Sequence, residues 1–240
     1  MIKLQKRYAP FVPTTMHSST ESLVAELTAF CQSDSLSEGG LQEIVDNHGW
    51  RPGVDDISYD FFLLACRNEK LTEGILRYLL QIFPGAGHFV DSEGQSPLTH
   101  VCHNKNVTLG IVRLLLDAFP DSVRIVDIYD GTPLSSFCCF AQNLDNEVAV
   151  DILKLLLERC PESVRHACYD GSLPIHLASG PGMKSPEFCR LLIEAFQRVP
   201  TQHHHASEEV YTSRKAKKTK LMKNSLFEDL VSILGYAGSV

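Results

Sequence analysis

The chain has 240 residues, of which 44% are hydrophobic, and 22 Lys and Arg stand against 29 Asp and Glu, a formal net charge of −7. That apolar share suits a globular protein with a sizeable core, and the length suits one or two domains. The acidic balance argues against general affinity for nucleic acid or membrane surfaces, and no apolar stretch approaches the length of a membrane span.

Residues 1–17 mix Pro, Lys, Arg and Thr without period or a signal-peptide apolar run, and read as a flexible tail. Ser18 with Glu21 offers a capping box before the amphipathic ESLVAELTAFCQ, and GGLQEIVDNHGW gives a second, weaker helix ending at Gly49. Residues 18–54 therefore read as a degenerate first unit with a water-facing outer side. From residue 55 to 199 a longer period takes over. Cys66/Cys102, Asn68/Asn104, Thr72/Thr108, Arg77/Arg113, Phe83/Phe119 and Pro84/Pro120 stand in register 36 residues apart. A fixed period of this size predicts stacked supersecondary units.

Within each unit the punctuation is consistent. Asp55, Asp91 and Asp127 stand six residues before Phe61, Pro97 and Pro133, where a carboxylate can accept the backbone N–H groups of a turn. Pro97, Pro133 and Pro174 fit the first turn of a first helix. Thr72, Thr108 and Ser185 cap the second helices, and Pro84, Pro120 and Pro161 stop them. A five-residue insertion in FAQNLDNEVAVD reads as a polar surface loop containing Asn143 and Asp145. After Pro200 the period is lost. Residues 200–223 form a polar, basic linker, and 224–240 read as an amphipathic helix that covers the last unit or binds a partner.

Gly94-Gln95-Ser96-Pro97-Leu98, Thr132-Pro133-Leu134 and Leu173-Pro174-Ile175-His176-Leu177-Ala178 resemble the turn-and-first-helix signature of the ankyrin-repeat family, and Ile111-Val112-Arg113-Leu114-Leu115-Leu116 resembles its second helix. The resemblance departs in its 36-residue period and in Thr99 and Ser135, which stand in the signature slot that His176 fills. It implies an all-α, ankyrin-like helical-repeat solenoid of about five units, with helix-turn-helix pairs joined by finger loops. It also implies non-catalytic protein recognition through the fingers and first helices.

The candidate contacts are Asp91, Glu93, Gln95, Asp127, Tyr129, Asp130, Tyr169 and Asp170 on the turns, with Asn143 and Asp145 in the insertion. Tyrosines weigh most, as the residue type that interfaces favour. Arg77, Arg113, Lys154 and Arg190 share one slot on the second helices, either as a solvated edge or as a basic stripe for an acidic partner. Arg214, Lys215, Lys217 and Lys218 form the one basic cluster, a solvated linker or a nuclear-import signal.

Metal and catalytic signals are weak. His100 and His103 lie one helical turn apart, but the period supplies no further ligands. His203, His204 and His205 read as solvated loop. Gly182-Met183-Lys184-Ser185 lacks the adjacent Gly-Lys of a phosphate loop. Cys31, Cys66, Cys102 and Cys138 recur on one slot at intervals of 35, 36 and 36, as small core residues rather than bridges. The expectation is a monomeric, cofactor-free cytoplasmic or nuclear protein with a protein partner. A nuclear regulator using the basic cluster, or a Cys/His metal enzyme, is the alternative.

Overall fold

Ten α-helices carry the regular structure of the residues that the computed structural model describes, 18–50, 57–179 and 185–200. They are α1 (Ser18–Gln32), α2 (Glu38–Asn47), α3 (Asp60–Arg67), α4 (Glu73–Ile82), α5 (Pro97–Cys102), α6 (Leu109–Ala118), α7 (Pro133–Phe140), α8 (Asn146–Arg159), α9 (Pro174–Ala178) and α10 (Pro186–Arg198). No strand occurs among the described residues, so this part of the chain is all-α. The odd-numbered helices pack one against the next from α1 to α9, and the even-numbered ones do the same from α2 to α10. One hydrophobic cluster fills the space between these two layers.

The helix boundaries follow from local chemistry. Thr72 Oγ1 accepts the Ile75 N–H and Thr108 Oγ1 the Ile111 N–H, each at 3.2 Å. Ser185 Oγ accepts the Phe188 N–H in the same way at 3.4 Å. Helix α7 starts on a tighter device. Thr132 Oγ1 accepts the Ser135 N–H while Ser135 Oγ accepts the Thr132 N–H, a reciprocal cap behind Pro133. In α9 the same slot holds His176, whose Nδ1 accepts the Leu173 N–H at 3.1 Å. Thr99, Ser135 and His176 are thus alternative fasteners for one helix start.

Two sequence expectations are corrected. The prolines after the even-numbered helices do more than stop them: they open five-residue 3-10 turns at Pro84–His88, Pro120–Arg124 and Pro161–Arg165. The insertion in the fourth pair, between α7 and α8, is less a loop than expected. Ala141–Asn143 forms a 3-10 turn, Asp145 caps α8 by accepting the Glu147 N–H at 2.9 Å, and α8 runs 14 residues against the 10 of α6.

Adjacent pairs are also joined by an asparagine clasp. Asn68 Nδ2 donates to the carbonyls of Cys31 (2.9 Å) and Ser33 (2.8 Å), and Asn104 Nδ2 donates to those of Cys66 (3.1 Å) and Asn68 (2.8 Å). Each Oδ1 accepts a local N–H, from Lys70 and Asn106. Every Asn amide therefore satisfies carbonyls at the C-terminal end of the preceding odd-numbered helix, where no intrahelical donor exists. Cys31, Cys66, Cys102 and Cys138 are buried free thiols, the first two on residues whose carbonyls the clasp engages, and burial pushes the Cys31 thiol up to about 12.

Residues 1–17, Asp55, Gly180-Pro181-Gly182, His203 to His205, the cluster from Arg214 to Lys218 and the helix expected over 224–240 lie outside the described residues. No helix among the described residues is long and apolar enough to cross a membrane.

Candidate functional site

The segments before α5, α7 and α9 are built on one plan. Each closes a tight loop: Asp91 N–H to Gln95 O, Asp127 N–H to Gly131 O and Cys168 N–H to Ser172 O, at 2.9–3.1 Å. In the first two loops the aspartate is the clamp. Asp91 Oδ1 accepts the N–H groups of Glu93 and Gln95, and Asp127 Oδ1 those of Tyr129 and Gly131. Cys168 holds that slot in the third loop, so Asp170 substitutes there, taking the Ser172 N–H at 2.8 Å. Three of the expected contact aspartates are therefore turn formers first.

Neighbouring loops are laced edge to edge. Ile128 N–H donates to Glu93 O, and Tyr169 N–H donates to Tyr129 O, both at 2.9 Å. Counting back from Pro133 and Pro174, Ile128 and Tyr169 each stand five residues before the proline. Tyr169 thus repeats the Ile128 slot rather than the Tyr129 slot. These tips carry large apolar groups to solvent: Ile128 is 62% exposed, Tyr129 54% and Tyr169 70%. Ile128 was missing from the sequence candidates, although its matched distance from the proline was a usable signal.

The position three residues before each proline needs a left-handed backbone, with φ of 78° at Gly94, 56° at Asp130 and 88° at Gly171. Asp130 is the one non-glycine residue with positive φ among the described residues. An L-residue pays conformational energy there that glycine does not. Asp130→Gly is expected to raise the unfolding free energy by about 0.5–1 kcal/mol, read as a shift in the urea midpoint at constant m. An unchanged or lower midpoint would show that the Asp130 carboxylate contributes more than its backbone costs.

The other candidates scatter. Gln95 is a correction: at 7% exposure it faces inward, and its Oε1 accepts from Arg67 Nη2 at 3.4 Å. It offers no contact surface. Asn143 and Asp145 are exposed, Asp145 as the cap of α8. Arg77, Arg113, Lys154 and Arg190 are exposed on α4, α6, α8 and α10, away from the loops in sequence and layer. Lys154 lies 3.6 Å from Asp151 and Arg190 3.9 Å from Glu194, pairs of the exposed kind that contribute little.

At the end of α7, Phe140 occupies the slot that Asn68 and Asn104 hold in the two preceding pairs. It makes no clasp. Instead it is 42% exposed, with its ring centroid 4.4 Å from that of His103. Phe140 and the neighbouring exposed Cys139 add to the surface that the odd-numbered helices show.

His100 is a buried polar group beside these loops, 1% exposed. Its Nδ1 accepts from Arg67 Nε at 2.6 Å, which leaves Nε2 to donate to Asp91 Oδ2 at 3.0 Å. Asp60, Leu63, Leu64, Arg67, Asp91 and His100 line a pocket of about 170 Å³ beside it. Burial, then the Arg67 charge, lower the His100 pKa to about 4 against the pull of Asp91, with His103 adding a further lowering. Both ring nitrogens are engaged, so this cluster reads as a turn-to-helix brace rather than as a base. No group of three His, Cys, Asp or Glu among the described residues is arranged to hold a metal ion.

The brace has a pH signature. His100 takes a proton near 6.5 when unfolded and only near 4 when folded, so its contribution is complete above pH 6.5 and is lost as pH falls toward 4. The groups facing it are Arg67, Asp91 and His103. His100→Leu, which copies Leu64 of the preceding pair, should flatten the decline in stability over that window by up to about 1.4 kcal/mol per pH unit. Equal slopes in the two proteins would contradict the assignment.

Neither comparison with protein-family models nor comparison with curated proteins finds a match to this chain.

Proposed function

We propose that this chain is an ankyrin-like helical-repeat solenoid that binds a protein partner through its finger loops and the adjoining first-helix surface, without catalysis. The observation that carries this reading is the row of tips itself. Large apolar side chains ordinarily go to the core, yet Ile128, Tyr129 and Tyr169 stand in solvent on loops laced to one another by backbone hydrogen bonds. A rigid row of exposed aromatic and aliphatic groups suits an interface, because little freedom is lost when it is covered. The repeat reading is supported by the recurrence of one cap slot, one left-handed slot and one clasp slot in successive helix pairs.

Affinity capture with the intact chain, repeated with Tyr129→Ala/Tyr169→Ala and with Arg77→Ala/Arg113→Ala, tests it. The reading expects the tyrosine variant to lose its partner and the arginine variant to keep it. Equal recovery with the tyrosine variant would reject the fingers as the contact.

A further inference from the structure

The apolar tips sit in an environment of one charge sign. The three loop segments 89–96, 125–132 and 166–173 contain Asp91, Glu93, Asp127, Asp130 and Asp170 and no Lys or Arg. Asp130 is exposed beside Tyr129, and Glu93 lies on the loop that is laced to Ile128. Such a surface repels an acidic segment and fits one that joins several lysines to a few apolar groups, since ammonium groups can pair with the carboxylates and lie over the tyrosine rings. The chain itself contains such a segment. Residues 214–223, RKAKKTKLMK, carry Arg214, Lys215, Lys217, Lys218, Lys220 and Lys223, no acid, and the apolar pair Leu221 and Met222.

Arg165, in the 3-10 turn that leads into the Tyr169 loop, donates to Val199 O at 2.8 Å and to Phe196 O at 2.6 Å, and its guanidinium lies 3.8 Å from the Phe196 ring centroid. The chain therefore passes Pro200 beside the base of that loop. From Pro200 to Arg214 is 14 residues, which span up to about 46 Å when extended. Neighbouring packed helices are about 8–10 Å apart, so the tips at Tyr169 and Tyr129 are both within reach. A tether of this length gives an effective concentration on the order of millimolar, at which weak contacts suffice.

We infer that residues 214–223 dock in cis on the Ile128, Tyr129 and Tyr169 tips and cover them until a partner displaces them. The displacement half of this statement rests on the function proposed above; the docking half does not.

The test uses the full chain and two variants, one with Lys215, Lys217 and Lys218 changed to Glu and one with Ile128, Tyr129 and Tyr169 changed to Ala. A zero-length carboxyl-to-amine cross-linker should join lysines of 214–223 to Asp130 or Glu93 within one molecule, at a yield independent of protein concentration. The yield should fall severalfold in the alanine variant and in roughly 1 M salt, where the screening length is only about 3 Å. A synthetic peptide of residues 214–223 should bind the lysine-to-glutamate chain at least tenfold more tightly than the unmodified chain, whose tips are already occupied. Equal peptide affinity for both chains, cross-links whose yield rises with concentration, or cross-links confined to α4, α6 and α8 would each overturn the inference. If docking fails while a partner still protects the tips, the function proposed above stands. If docking holds while the partner binds elsewhere, only that function falls.

Discussion

Phe137→Ala should lower the unfolding free energy by about 3–5 kcal/mol, the range for removing a fully buried aromatic ring. Phe137 has no exposed surface, and its ring centroid lies 6.1 Å from that of Phe188, across the contact between the fourth helix pair and α10. The loss has two parts: transfer of the ring to water in the unfolded reference, and a cavity that short helices on both sides close only in part. Equilibrium urea unfolding followed by circular dichroism reads the change directly. Phe137→Leu, which refills most of the volume, should recover more than half of it. A loss below about 1 kcal/mol for the alanine variant would show that the α7–α10 contact is not a core contact.

The second large effect is expected at Asn104. Asn104→Ala removes both donors from the Cys66 and Asn68 carbonyls at a site that is 5% exposed. Buried carbonyls left without partners cost about 1–3 kcal/mol each before relaxation, so a loss of about 2–3 kcal/mol is expected. Asn106→Ala is the comparison. Its amide also reaches back to the preceding pair, at Glu69 O, but from an exposed position, and water can replace it for less than about 1 kcal/mol. Similar losses for the two variants would remove the clasp from the account.

Much of the helical framework was legible because it rests on local chemistry. Thr72, Thr108 and Ser185 announce helix starts by being caps, and a proline at the first helical position can be recognised without knowing what packs on it. The asparagine clasp was visible only as a pair of matching letters. Its role depends on carbonyls 35 to 38 residues earlier, a distance that no local rule supplies. Gln95 was misplaced for a related reason: a polar residue in a turn ordinarily faces water, but the tight loop clamped by Asp91 turns it toward Arg67.

Ile128 fails in the opposite direction. A β-branched residue is not a usual turn-tip contact, so Ile128 goes unnoticed unless its distance from Pro133 is matched to that of Tyr169 from Pro174; the lacing of Ile128 N–H to Glu93 O then accounts for its outward position. Phe140 is similar, since its slot in the period belongs to an inward-facing asparagine. The part of the site that departs from the period is thus the part that sequence reasoning reads least well, and it is also where the exposed apolar groups collect.

The account turns on whether the loop tips, rather than the outer helices, meet the partner. Amide hydrogen exchange of the full chain, alone and with the captured partner bound, measures this directly. Protection should concentrate in residues 126–131 and 167–172 and at the end of α7 near Phe140, with α4 and α6 unchanged. Protection confined to the helices that carry Arg77 and Arg113, with the tips exchanging as fast as in the free chain, would contradict it.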